Sequence, residues 1–291
     1  MYPPRFHYEA PKTIEEAIDL LRRSRGEAKV LAGGQSLVPM MKLRFASPEV
    51  LIDINSIPGL AYHSADPDGA YRIGALCRHV DLEKDVDLEA QQPTIAAAAP
   101  LIADPIVRNR GTVVGSLCHA DPQGDWASVM SALGGSIVAE GPDGRRSIPC
   151  VDFVSGPFQN LLEFDELAIE ISVPAPVGAR AGGYLKLERR VGDFATVGVA
   201  VSVESSDGQV VRAGIGLTGV GASTICAEEA AEVLVGQDLN ADTIHRAAGL
   251  AAEISKPRSD HRGSAAYKRH VVDTFVTRIL TSLQLATQEV A

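Results

Sequence analysis

Few features of this chain point to nucleic acid or to a membrane. Of its 291 residues, 27 are Lys or Arg and 37 are Asp or Glu, which leaves a formal net charge of −10. Such an excess of negative charge repels a phosphate backbone, so we expect no nucleic-acid partner. The longest apolar stretches, around Thr94–Ala103 and Ala195–Val203, are too short to span a bilayer, so we also expect no membrane insertion.

Cysteine is scarce, and the few cysteines are dispersed. Cys77, Cys118, Cys150 and Cys226 lie far apart in sequence and form no CxxC pair. Iron–sulfur clusters and structural metal ions usually take closely spaced cysteines, so the sequence predicts neither in this chain. The first residues lack the apolar core of a secretory signal, which favours a cytoplasmic location, with any attachment to membranes made through partner proteins.

The histidines show no metal-ligand spacing either. His119-Ala120-Asp121 has no third ligand nearby, so we expect no metal site. The other six histidines are scattered, which favours positions at the surface or at helix ends: His7, His63, His79, His245, His261 and His270.

The pattern of apolar residues and breakers predicts an α+β protein. Thr13 and Glu16 form a capping box that opens a helix. Short strands are predicted at Ala28–Leu31, Val50–Ile54, Tyr71–Ala75, Ser136–Glu140, Arg145–Ile148 and Leu167–Val173. Helices are predicted at His79–Asp87, Thr94–Ala103 and Asp125–Leu133.

A stretch rich in proline and glycine, Pro174–Gly183, predicts a domain boundary. We therefore divide the chain into residues 1–176 and residues 177–291. The second part is predicted to be a three-stranded antiparallel sheet followed by helices. The strands are Gly183–Arg189, Ala195–Ser202 and Val210–Leu217, and the helices are Ala227–Val235, Ala241–Ile254 and Tyr267–Ala286.

Two glycine-containing loops carry the functional signal. The first, Ala32-Gly33-Gly34-Gln35-Ser36-Leu37, follows a predicted strand, and adjacent glycines let consecutive N–H groups face one point, as they do around a pyrophosphate. A tight turn at the end of a strand is the simpler interpretation of one such pair. The loop matches neither the Rossmann G-x-G-x-x-G pattern nor a Walker P-loop.

The second loop, Gly111-Thr112-Val113-Val114-Gly115-Ser116, has the same mixture of glycine, hydroxyl and small residues. It leads to Asp121 and Asp125, whose carboxylates could accept hydrogen bonds from ribose or ribityl hydroxyls. Asp125 could equally serve as a helix N-cap, and the two roles are compatible.

These segments closely resemble the FAD-binding medium subunits of the carbon monoxide dehydrogenase and xanthine oxidase (molybdenum hydroxylase) family, and the resemblance covers nearly the whole chain. The matching segments are Lys29-Val30-Leu31-Ala32-Gly33-Gly34-Gln35-Ser36-Leu37 with Pro39–Arg44, then Leu101–Pro105, Arg108–Thr112, Asp121-Pro122 with Asp125, then Tyr184, Lys186, Arg189-Arg190 and Gly192–Ala195, and finally Asp260, Arg262-Gly263 and Tyr267-Lys268.

The resemblance implies a two-lobed FAD-binding domain of the xanthine oxidase/vanillyl-alcohol oxidase type, with lobes of roughly 1–57 and 58–176, followed by that family's C-terminal flavoprotein domain. It implies that Val30–Leu37 and Thr112–Ser116 bind the pyrophosphate, with Lys29 and Gly111 also among the cofactor-binding residues. Asp125 would hold the ribityl hydroxyls, Ile102 would pack on the flavin side, and Ile169, Lys186 and Phe194 would lie near the isoalloxazine. No residue of this chain is assigned a catalytic role.

The same resemblance implies partners and a place in electron transfer. A molybdopterin-binding large subunit and a [2Fe–2S] small subunit would complete a heterotrimer, and two heterotrimers would form a dimer. Electrons would pass through FAD to an external acceptor. The substrate, oxidised in another chain, stays open among carbon monoxide, purines, aldehydes and N-heterocycles. Lys186 would favour a reduced, anionic flavin, although a solvated surface lysine is an equal alternative at this stage.

One departure from the family pattern lies in the second loop. The family usually has Thr-Ile-Gly-Gly there, and Val114 replaces the first of those two glycines. Its Cβ could crowd the phosphates. Two alternatives to the subunit hypothesis therefore remain: a free-standing FAD-dependent oxidase, for which no acid–base constellation is evident, and a scaffold subunit that has lost FAD.

Overall fold

The first lobe is a small parallel sheet that ends at the first glycine loop. The computed structural model describes residues 2–289, with side chains as far as residue 285 in the last helix. The three strands are ordered β1-β3-β2, and both pairings are parallel. The elements are β1 (His7–Glu9), α1 (Ile14–Arg23), β2 (Ala28–Leu31), α2 (Leu37–Lys42) and β3 (Val50–Asp53).

Helix α1 begins where the sequence predicts it. The Glu16 backbone N–H donates to Thr13 Oγ1 at 3.1 Å, and the Lys12 N–H donates to the Glu16 carboxylate at 2.7 Å. These bonds satisfy donors that a helix leaves without partners at its first turn. The helix buries Ala17, Ile18 and Leu21 against the rest of the lobe, so the capping-box prediction is confirmed.

The second lobe is an antiparallel sheet with short helices around it. Five of its strands form one sheet in the order β4-β5-β10-β6-β7, and two more strands form a separate hairpin. The strands are β4 (His63–Ala65), β5 (Tyr71–Gly74), β6 (Ser136–Gly141), β7 (Gly144–Pro149), β8 (Val154–Gly156), β9 (Gln159–Asn160) and β10 (Leu167–Val173). The helices are α3 (His79–Lys84), α4 (Leu88–Gln91), α5 (Pro93–Ala98), α6 (Pro105–Arg108), α7 (Val113–His119), α8 (Asp125–Ala132) and α9 (Cys150–Phe153).

The remaining part of the chain is a sheet covered by helices. All three predicted strands are present, but the predicted number of three is too small, because a two-residue strand, β14, pairs with β13 at the edge. The elements are β11 (Ala179–Leu187), β12 (Val197–Ser206), β13 (Gln209–Thr218), β14 (Ile225–Cys226), α10 (Glu228–Glu232), α11 (Ala241–Ile254) and α12 (Ala265–Glu289). No helix within residues 2–289 has the length and apolar character needed to cross a membrane.

Several predicted helices are too long. The helix predicted at Thr94–Ala103 ends at Ala98 and continues as a 3₁₀ turn, Ala99–Leu101, because Pro100 has no N–H to donate to the preceding turn. The helix predicted at Ala227–Val235 is confined to α10. Strand β11 also starts at Ala179, inside the segment that was predicted to be the linker.

Two hydrophobic cores support these elements. One runs through both lobes of the first part and includes Trp126, Ile73 and Ile171. The other lies between the second sheet and helices α10, α11 and α12. An ion cluster fixes the segment between them: Glu204 pairs with Arg180 at 3.0 Å and accepts a bond from the Val177 N–H at 2.8 Å, and Arg212 contacts the same carboxylate.

Helix α8 joins the two parts because it is buried along its whole length and packs against β13. The contact needs glycine on the strand. A Cβ on Gly216 would lie 2.7 Å from the carbonyl carbon of Ser128, and one on Gly214 would lie 2.8 Å from the carbonyl carbon of Ala132. Both distances are below van der Waals contact with backbone that cannot rotate away.

We predict that Gly216→Ala lowers the free energy of unfolding by roughly 1–3 kcal/mol, because the added methyl group forces α8 away from β13. Gly249→Ala is the matched control. Position 249 lies in helix α11 with nothing within 4 Å of the added methyl group, so alanine should stabilise the protein by roughly 0.5–1 kcal/mol. Denaturant unfolding of both variants measures the difference, and equal midpoints would contradict the proposed packing.

Candidate functional site

A cleft of about 530 Å³ brings the two glycine loops together. It is lined by the whole of Lys29–Leu37 and by most of Gly111–Ser116. Ile102, Asp125, Lys186 and Phe194, predicted from different parts of the chain, line the same cleft. The exceptions are Val113 and Ile169, whose side chains are buried in the first hydrophobic core and do not line it.

The first loop leaves the carboxyl end of β2 with its amide groups turned outward. Within residues 2–289, the N–H groups of Gly33, Gly34, Gln35 and Ser36 donate to no protein acceptor. Gly34 has a φ of +73°, a conformation that favours glycine. Consecutive free N–H groups around such a turn form a concave site for anionic oxygens.

Gly33 has a different reason to be glycine. A Cβ at this position would collide with the Arg110 carbonyl oxygen and would lie 2.7 Å from Gly111 Cα. The first loop therefore touches the backbone of the second loop directly. A larger residue at position 33 would push the two loops apart whether or not a ligand lies between them.

The second loop contains both the N-cap residue and the first residues of helix α7. Thr112 is the N-cap, and its hydroxyl accepts the Gly115 N–H at 3.2 Å. Val114 lines the cleft but is only 2% exposed and packs in the first core. Most of its side chain is therefore covered by protein.

The side chains of Asn55 and Arg78 connect the two loops through hydrogen bonds. Asn55 Nδ2 donates to the Ala32 carbonyl at 2.9 Å, and Arg78 Nη2 donates to Asn55 Oδ1 at 2.5 Å. Arg78 Nη1 donates in turn to the Arg110 carbonyl at 2.5 Å. This chain of bonds sets the spacing of the loops, and neither Asn55 nor Arg78 was predicted to matter.

Asp125 does not act as a helix cap. The N-cap position of α8 is occupied by Gly124, which has no side chain to cap the helix. The Asp125 carboxylate bonds instead to residues of β11. Its Oδ1 accepts the Tyr184 hydroxyl at 2.5 Å, and its Oδ2 accepts Lys186 Nζ at 3.1 Å. The capping interpretation of Asp125 was therefore wrong. Burial raises the pKa of Asp125, and the neighbouring Lys186 charge opposes that rise.

Lys186 is a buried cation, so the alternative of a solvated surface lysine was wrong. Its side chain is 1% exposed, and Nζ lies 3.1 Å from the Asp125 carboxylate and 3.4 Å from the Glu188 carboxylate. It also donates to the Leu101 carbonyl at 3.0 Å. With both carboxylates ionised, this trio carries a net negative charge, so Lys186 has no uncompensated charge to offer a ligand.

His79 is a further site residue that the sequence did not reveal. Its predicted place at the surface or as a cap is wrong, because it is 4% exposed and lines the cleft. The ring stacks on Trp126 with centroids 5.9 Å apart, and Nδ1 accepts the Trp126 indole N–H at 3.0 Å. The only available signal was its spacing from Leu82, since positions i and i+3 of a helix share a face.

We predict that Lys186→Met lowers the free energy of unfolding by roughly 3–5 kcal/mol near neutral pH, because it leaves buried carboxylates without their cation. Because burial raises the pKa of Asp125, the folded state takes up this proton at a higher pH than the unfolded chain does, so the loss should shrink as pH falls and Asp125 becomes protonated. Unfolding midpoints across pH measure this.

The double variant Lys186→Met with Asp125→Asn should recover part of that loss at neutral pH, since it removes one of the stranded charges. Lys84→Met, at an exposed position, is the control for loss of a lysine. A pH-independent loss would show that packing of the lysine stem, rather than charge, is responsible.

Comparison with known proteins agrees with the geometry. A sequence model described as the FAD binding domain in molybdopterin dehydrogenase matches residues 4–176, and one described as the CO dehydrogenase flavoprotein C-terminal domain matches residues 183–283. The carbon monoxide dehydrogenase medium chain of Hydrogenophaga pseudoflava is 42% identical over 97% of this chain and 98% of its own length. The nicotine 6-hydroxylase medium subunit of Paenarthrobacter nicotinovorans is 34% identical over 95% and 96%.

Solved structures show the same relationship. Carbon monoxide dehydrogenase from Hydrogenophaga pseudoflava, in a form that lacks the Mo-pyranopterin moiety, superposes with a TM-score of 0.91 at 43% identity over 97% of this chain and 98% of that one. Quinoline 2-oxidoreductase from Pseudomonas putida 86 gives a TM-score of 0.88 at 30% identity over 98% and 99%. The predicted family, fold class and FAD cofactor are confirmed, and the chain belongs to the FAD-binding medium subunits of the molybdenum hydroxylase family, as an oxidoreductase component like that of carbon monoxide dehydrogenase.

Proposed function

We propose that this chain holds FAD in the cleft between its glycine loops and passes electrons from a [2Fe–2S] small subunit to an external acceptor. A molybdopterin-binding large subunit would oxidise the substrate, and two heterotrimers would form the complete assembly. The observation that supports this best is the meeting of the two glycine loops, Asp125 and Phe194 in one cleft. FAD, when bound, supplies a carrier that accepts and releases electrons, and the chain supplies its position and surroundings.

The residues of the cleft fit the parts of this cofactor. The free N–H groups of Gly33–Ser36 would bind the pyrophosphate together with the second loop, and the remaining lone pairs of the Asp125 carboxylate would accept ribityl hydroxyls. Ile102, which is 6% exposed, would offer the flavin an apolar surface. Lys186 would act chiefly by holding Asp125 ionised and in place, because its charge is already compensated.

The ionisable groups of the cleft indicate that this chain needs partner subunits for catalysis. Cleft residues Asp125 and Lys186 are tied to each other, and Glu166 is tied to Arg146 at 2.6 Å, so these groups are engaged within the protein. In the described part of the chain, no group of three His, Cys, Asp or Glu side chains is arranged to hold a metal ion. Substrate chemistry and cluster chemistry are therefore assigned to other subunits.

We predict that the purified chain is yellow, that dithionite bleaches its flavin absorbance, and that it turns over no substrate of the parent complex by itself. Visible absorbance and a steady-state assay with an artificial acceptor measure this. A colourless chain that takes up no FAD would favour the scaffold alternative, with Val114 as its motivation. Turnover by the chain alone would favour the free-standing oxidase.

We also predict that Asp125→Asn weakens FAD binding about tenfold or more, since a charge-assisted bond to a hydroxyl is replaced by a neutral one. Glu188→Gln is the matched control. It removes the other carboxylate beside Lys186, yet Glu188 does not line the cleft. Its FAD affinity should stay within about threefold of the parent value.

Titration of FAD into deflavinated protein gives the dissociation constants for both variants, and thermal melts of the apoproteins control for folding. If Asp125→Asn and Glu188→Gln weaken binding equally, the carboxylate acts only through the charge of Lys186. In that case the direct ribityl contact is refuted.

A further inference from the structure

The ring of His79, a cleft residue, has one nitrogen without a partner among residues 2–289. His79 is buried at the start of α3, and its backbone N–H donates to the Gly111 carbonyl at 3.1 Å. Its ring Nδ1 is occupied by the Trp126 indole N–H at 3.0 Å, and Trp126 is fully buried. Its other ring nitrogen, Nε2, makes no hydrogen bond with any residue of the described range 2–289.

The bond to Trp126 determines which nitrogen carries the proton. An indole N–H can only donate, so Nδ1 must accept and must be unprotonated. Burial, assisted by the positive charges of Arg108 and Arg78, lowers the pKa of His79 to about 4, so the ring is neutral near pH 7. A neutral imidazole with a bare Nδ1 has its proton on Nε2. His79 is therefore a fixed hydrogen-bond donor.

That donor faces the second glycine loop. A Cβ on Gly111 would lie 2.7 Å from His79 Nε2, so the Nε2 edge of the ring lies against this glycine and any side chain there would clash with it. His79 and Gly111 line the same cleft, next to Thr112. Because His79 lines the cleft and its Nε2–H has no acceptor among residues 2–289, this donor is available to an acceptor on a ligand bound in the cleft.

We propose that His79 Nε2–H donates a hydrogen bond to a phosphate oxygen of the bound cofactor, and that Trp126 is a positioning residue that fixes the tautomer. This inference rests on the proposed function, since FAD is the ligand that brings a pyrophosphate to the second loop. It adds a side-chain donor from α3 to the backbone donors of the first loop.

Two amide substitutions separate this role from a packing role. In His79→Gln, the amide nitrogen can reach the place of Nε2, but the acceptor for Trp126 at the Nδ1 position is lost. In His79→Asn, the shorter amide can keep an acceptor near the Nδ1 position, but it has no donor at the Nε2 position. A phosphate-binding role and a Trp126-anchoring role therefore predict opposite orders of FAD affinity.

The assay uses FAD added to deflavinated protein. Trp126 is the only tryptophan of the chain and lines the cleft, so quenching of its fluorescence reports binding directly, and flavin fluorescence gives a second signal. We expect His79→Asn to raise the dissociation constant about tenfold or more and His79→Gln to stay within about threefold of the parent. His63→Asn, a half-buried histidine outside the cleft, should bind FAD like the parent.

Thermal melts of the apoproteins accompany the titrations. If His79→Asn binds FAD as tightly as the parent, or if His79→Gln is weakened as much as or more than His79→Asn, the proposal is refuted and His79 serves only to anchor Trp126. If the parent protein itself fails to bind FAD, the proposed function fails, and this outcome is distinct from either result with the variants.

Discussion

The contact between the backbones of the two glycine loops is the constraint on which the cleft depends. Gly33 lies so close to Arg110 and Gly111 that a Cβ has no room, so the loops meet without side chains between them. One loop comes from the end of a parallel strand in the first lobe and the other from the start of α7 in the second lobe. The lobes therefore share one hydrophobic core, and a strand end of one and a helix start of the other line the same cleft.

Hydrogen bonds from Asn55, Arg78 and His79 hold the two loops at this separation. Asn55 and Arg78 span the distance between the Ala32 and Arg110 carbonyl groups, and the His79 backbone holds the Gly111 carbonyl from the same short segment of chain. Hydrogen bonds of this kind contribute little net stability individually. Their effect is geometric: they hold the free N–H groups of the first loop opposite the second loop before any ligand arrives, which is the condition for tight binding without reorganisation.

The sequence predicts those features that leave a local mark. Strand Leu167–Val173, helix Ala241–Ile254 and the capping box at Thr13 follow from periodicity and from cap chemistry, and all are present. The glycine loops are visible because their composition is unusual. His79, Asn55 and Arg78 were missed because their importance lies in contacts between residues far apart in sequence, which no local pattern records. The same holds for Asp125, whose position at a helix start suggested a cap, while its partners lie about sixty residues away on β11. The division of the chain near residue 176 stays a prediction.

The position of Asp125 explains why the second part of the chain belongs to the cofactor site. Its carboxylate comes from α8 in the first part, and the groups that bind it, Tyr184 and Lys186, come from β11 in the second. A carboxylate buried to this degree is unfavourable when it is ionised without a partner. The glycines of β13 let α8 approach closely enough for β11 to supply that partner. The sheet of the second part thus does more than cover the cleft: it makes an ionised Asp125 tolerable inside it, so that a carboxylate is available to accept hydroxyl groups at the point where the two parts meet.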